Sequence, residues 1–115
     1  MSADRELLEL AAKAAGIGIM PCTCGNDKWP FKHVKGISPQ RGHWNPLESD
    51  GDALRLAVSL RIDLEWQDDY SVEAYHRTDD SHYCSDGQAG PGVSIGAATR
   101  RAIVRAAAEI GKAMP

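Results

Sequence analysis

The chain has few aromatic residues, three cysteines and no long apolar run, and each shortage excludes something. Aromatic residues make up 6% of the 115 positions, with a single phenylalanine. The core is therefore expected to rest on Leu, Ile, Val and Ala, with Trp44 and Trp66 as its large pieces. No stretch approaches the roughly 18 apolar residues of a membrane helix. The opening MSADRELLEL is acidic and helical, unlike a basic leader followed by an apolar block. A soluble cytoplasmic protein with no membrane association is the expectation. Three cysteines cannot all pair within one chain, so they are read as reduced thiols available for metal binding, reactivity or burial. Internal repeats are absent. A length of 115 residues suits one domain, residues 1–115, around one core.

Charge is present in both signs but unevenly placed. The net charge is -3, yet residues 1–43 carry six bases against four acids, 44–90 carry three against eleven, and 91–115 carry four against one. A dedicated nucleic-acid binder shows a basic total and one continuous basic face, so this balance makes nucleic acid an unlikely partner while leaving room for a local basic patch.

The apolar spacing predicts a first helix, with Leu7, Leu10, Ala11 and Ala14 on one stripe and Gly16 as its stop. Residues 16–43 hold three prolines and five glycines, which allows one or two short strands near Ile17–Met20 and Trp29–Val34. In WNPLESDGDALRLAV, Asn45-Pro46 makes a turn and Ser49 caps a second helix, with Asp52 answering the Ser49 backbone amide. That helix runs to about Leu60, and its narrow polar stripe of Asp52, Arg55 and Ser59 predicts a covered, central element. On this reading Leu54→Asp would place a charge in the core and unfold the domain. Ile62, Leu64 and Trp66, then Tyr70, Val72 and Ala74, alternate with polar residues, which predicts a hairpin to about Arg77 with its turn at Asp68-Asp69. Residues 78–92 read as a long polar loop. A final alanine-rich helix follows, capped by Ser94. Ala102, Ile103, Ala106, Ala107 and Ile110 face inward, and Arg100, Arg101, Arg105 and Lys112 face outward.

Three segments, RELLELAAKAAGI (5–17), WNPLESDGDALRLAVSL (44–60) and AATRRAIVRAAAEIGKAM (97–114), resemble the phage ABA sandwich domain family. They cover about two-fifths of the chain. The resemblance implies a phage or prophage protein with an alpha-beta-alpha sandwich, and it implies no activity. The fold expectation is thus α+β, a small alpha-beta-alpha sandwich in the rough order α-β(β)-α-β-β-α with an antiparallel hairpin. Variable loops are placed at about 18–43 and 78–96. The parts between the resembling segments, residues 18–43 and 67–96, hold every cysteine and histidine.

Several residue sets have the chemistry of a site. Cys22 and Cys24, with His33 or His43 nearby and His82 and Cys84 further on, offer thiolates and imidazoles to zinc, although one residue between the first two sulfurs is tighter than the usual spacing. His82 and Cys84 also stand two apart as a base and nucleophile would, without an orienting carboxylate or oxyanion donor in the pattern. GPGVSIGAATRR sets glycines and a serine before a helix bearing Arg100, Arg101 and Arg105, the ingredients of an anion or nucleic-acid contact. A phosphate-loop lysine with its following hydroxyl is missing from that stretch. An EF-hand counted from Asp50 fails, because Leu54, Arg55 and Arg61 fall at the fifth, sixth and twelfth places.

With no convergent catalytic set, the expectation is a non-enzymatic accessory protein, without a required cofactor, that binds a host or phage protein. The alternatives are a zinc or small-ligand domain built on the Cys/His loops, and weak nucleic-acid binding through the basic last helix.

Overall fold

The computed structural model describes residues 2–25, 28–34, 42–77 and 82–114, with backbone only at 2–3, 77 and 82–88. Among these residues three helices, α1 (Ser2–Ala15), α2 (Asp50–Leu60) and α3 (Ile95–Ala113), combine with two three-stranded antiparallel sheets. The first sheet is β1 (Ile19–Pro21), β2 (Phe31–His33) and β3 (His43–Trp44). The second is β4 (Asp63–Trp66), β5 (Ser71–Arg77) and β6 (His82–Gln88). The α+β class and the approximate order of elements match the reading from sequence.

Helix ends follow local chemistry. Ser49 Oγ accepts the Asp52 amide at 3.2 Å, and Ser94 Oγ accepts the Ala97 amide at 3.1 Å, so both expected caps form. The Asp52 carboxylate goes elsewhere than expected. It accepts the Asn45 amide at 2.9 Å, because the turn at Asn45-Pro46 folds back over the helix start. Helices α1 and α2 stop in the same way. Gly16 (φ 69°) and Arg61 (φ 56°) turn left-handed, and the next amide, of Ile17 or Ile62, reaches back five residues to Ala12 or Ala57 at 2.9 Å.

The core joins all three helices to both sheets. Leu8, Ala11 and Ala12 of α1 meet Leu56 and Ala57 of α2, Ala102, Ile103, Val104, Ala106 and Ala107 of α3, the paired Phe31 and Trp44, and Val72 and Ala74. Few of these side chains are large, so close backbone approach must supply the packing. Gly111 shows how close. A Cβ placed there would lie 2.2 Å from the Leu10 carbonyl oxygen, a contact no side-chain rotation relieves.

Three expectations are corrected. Residues 82–88, read as loop, form β6. Their register with β5 runs from Ser71↔Gln88 to Arg77↔His82, a pairing made by backbone and therefore invisible to an alternation test. Trp66 is 55% exposed rather than central, its indole donating to Thr99 Oγ1 at 3.3 Å. Helix α2 is covered on one side only: Leu54 is 62% and Val58 54% exposed, whereas Asp52, assigned to the polar stripe, is buried. The outward Arg55 guanidinium holds the buried Asp52 carboxylate at 2.8 Å, which lets an acid occupy the inner face.

These positions set the expected cost of two substitutions. Gly111→Ala, stabilising in an open helix, is expected to cost about 2–3 kcal/mol here and lower Tm by roughly 10 °C. Leu54→Asp is expected to cost about 1 kcal/mol or less and leave a cooperative transition. Thermal unfolding followed by circular dichroism reads both. An unchanged or raised Tm for Gly111→Ala contradicts the packing described.

Candidate functional site

A cleft of about 1060 Å³ opens where α1, the segment after β1, the Asn45 turn and the start of α3 meet. Its floor and walls derive from one buried knot. Asn45 takes the Leu47 amide on Oδ1 at 2.9 Å and donates through Nδ2 to the Lys28 carbonyl at 2.6 Å, while its own amide is held by Asp52. The turn before α2 thereby fixes the loop carrying Lys28 and Trp29. Leaving any of these buried groups unpartnered would cost about 1–3 kcal/mol, which makes the arrangement a defined wall.

Positive side chains outnumber negative ones around this cleft. Arg5, Lys28, Arg100, Arg101 and Arg105 line it against Asp4 and Glu48. Arg100, expected to point outward, is drawn across the turn instead. Its Nε donates to the Leu47 carbonyl at 2.9 Å and its Nη1 to Asp50 at 2.6 Å. Arg101 donates through both terminal nitrogens to the two oxygens of Asp4, at 3.1 and 3.3 Å. The guanidinium beside Asp4 holds that carboxyl below its usual range. Both partners are half-exposed, so the pair is worth about 1 kcal/mol or less and serves chiefly to orient the arginine. Arg5 lies 4.8 Å above the Phe31 ring. Gly92, Val93, Ala97 and Ala98, around the capped start of α3, complete this side. Arg100, Arg101 and Arg105, the anion set expected from sequence, therefore all border one concavity, whereas Lys112 of the same helix lies away from it, paired with Glu109. Arg5 and Lys28 were missed, since no spacing links them to α3.

The expected metal set divides. Cys22, Cys24 and His43 offer ligand atoms all within 4.8 Å of one another. Cys22 continues the first sheet by donating its amide to the Pro30 carbonyl at 2.9 Å, and His43 opens β3 opposite Lys32. The pleat sets His43 and Lys32 on the face away from the buried Phe31 and Trp44. Trp29 stacks on His43 with ring centroids 5.3 Å apart, and its carbonyl accepts the Cys24 thiol at 3.8 Å. The backbones of His82 and Cys84 lie in β6, in the other sheet; their side chains fall outside the described residues. His33 stays apart from the cluster. It is buried in β2 with Nδ1 lacking a hydrogen-bond partner, and burial lowers its pKa against a smaller opposing pull from Asp52.

No family model matches the sequence, and no curated protein or solved structure matches it.

The His33 environment sets a pH dependence. Its folded pKa lies below the ordinary 6.5, so the unfolded chain takes up the proton first as pH falls. Stability contributed by neutral His33 is complete above that value and is lost as pH falls through it toward the lowered folded pKa. Denaturant unfolding at pH 7.5 and 5.5 should show this loss in the parent and a smaller one in His33→Gln. Equal losses in both proteins contradict the assignment.

Proposed function

We propose that the protein is a non-enzymatic binding domain whose cleft receives a small anionic ligand, a phosphorylated or carboxylated molecule. One observation carries this reading. A chain of net charge -3 gathers five basic and two acidic side chains around a single concavity, reversing its overall sign locally. Such a cleft concentrates anions, and the fork geometry of arginine suits oxyanions with two acceptor oxygens. The oriented Arg101 and the capped start of α3 support the same reading, since the ligand would meet guanidinium donors and the positive helix end together.

A second reading, that of an accessory module binding a host or phage protein, is favoured by Leu54 and Val58, one turn apart on α2 and both exposed. Phage or prophage origin, which rests on the three resembling segments, and a cytoplasmic setting belong to this proposal. Among the described residues no helix is long and apolar enough to cross a membrane.

Titration calorimetry with inorganic pyrophosphate at low ionic strength tests the first reading. Saturable binding at one per chain is expected, weakened at least tenfold by Arg101→Gln and strengthened by Asp4→Asn, which removes the competing carboxylate. No saturable uptake, or tighter binding of duplex DNA than of pyrophosphate with a steep salt dependence, would overturn it.

A further inference from the structure

We propose that Cys22, Cys24 and His43 bind one zinc ion, with a fourth coordination position left to solvent or to an exogenous ligand. The argument starts from distance. Sulfurs bound at about 2.3 Å to a tetrahedral ion stand about 3.8 Å apart. The three ligand atoms here lie within 4.8 Å of one another before any ion has drawn them in, so modest rotations of partly or fully exposed side chains close the set. The one-residue spacing of Cys22 and Cys24, unfavourable when read alone, is answered by the fold. Cys22 ends the ladder of the first sheet, its amide held by Pro30, and the chain turns through Gly25 (φ 79°) just beyond Cys24. The third ligand arrives from a strand nineteen residues later, outside any short motif.

The donor set selects the ion. Two thiolates and a neutral imidazole are soft to borderline ligands that suit zinc and give calcium and magnesium no oxygen cage. On binding, the two thiols release their protons to solvent and one neutral His43 ring nitrogen donates a lone pair. Two negative sulfurs offset the charge of Zn²⁺, so the loaded site is electrically neutral. Trp29 supports the site from behind. Its ring holds the His43 plane, and its carbonyl loses the Cys24 hydrogen bond when the thiol ionises. Three protein ligands leave an exchangeable position in the manner of zinc sites that bind water or another small ligand. Cys22 also lines the cationic cleft. The zinc site does not depend on the anion reading, because of its three ligands only Cys22 borders the cleft.

The test is cobalt substitution of the full chain under anaerobic reducing conditions, followed by zinc competition. A sulfur-to-cobalt charge-transfer band and intense tetrahedral visible bands are expected to saturate at one equivalent. Zinc should displace them, and a large excess of magnesium or calcium should not. Cys22→Ser, Cys24→Ser and His43→Asn should each weaken binding at least a hundredfold, while His82→Asn and Cys84→Ser should leave it within a few-fold of the parent. X-ray absorption on the zinc-loaded parent needs no variant: it should count two sulfur neighbours at about 2.3 Å, with the remaining ligands nitrogen or oxygen. Absence of the cobalt bands, three or more sulfurs around zinc, full retention in His43→Asn, or loss in Cys84→Ser would each overturn the assignment.

Discussion

The contact between α1 and α3 at Gly111 is the constraint on which the remaining structure depends. A protein with one phenylalanine and little other aromatic bulk cannot fill a core with large side chains, so its helices must approach backbone to backbone. Alanines at 11 and 12 of α1 and at 102, 106, 107 and 108 of α3 make that possible, and Gly111 completes it against the Leu10 carbonyl. Once α1 is held there, its Asp4 and Arg5 are brought to the first turns of α3, where Asp4 meets Arg101. The cleft is thus a by-product of a seam built from small residues.

A second buried element gives the cleft its other wall. The stretch WNPLESDGD uses Asn45, Asp52 and the Ser49 cap to tie the start of α2 to the loop bearing Lys28 and Trp29. The same loop runs from the thiols at 22 and 24 and supports His43 through the Trp29 ring. A fold device with no chemistry of its own thereby places cations on one side and thiols and imidazole on the other. The region between β1 and β3 contributes to both candidate sites.

Helix positions and caps were legible in the sequence because they depend on neighbours three or four residues away. Ser49, Ser94 and Gly16 act as their local contexts indicate. Burial was less legible. Leu54 and Val58 suggest an inner face by hydropathy alone, but the cap geometry turns Asp52 inward to meet Asn45, and the helix rotates accordingly. Strand β6 escaped notice because its pairing is made by backbone over a polar stretch, HYCSDGQ. At the candidate sites, the arginines of α3 stood out as a cluster. Arg5 and Lys28 did not, because only tertiary contact brings them near, and the choice of His43 over His33 depends on strand pleat, a property no spacing rule reports.

Native-state amide hydrogen exchange, resolved by residue, tests the seam most directly. The amides of Ala11, Ala12 and Ala106 to Gly111 should exchange in one slowest class, with an opening free energy equal to that of global unfolding. If α1 instead exchanges in a faster class of its own while α3 remains protected, α3 is held without it, and the cleft does not depend on their contact.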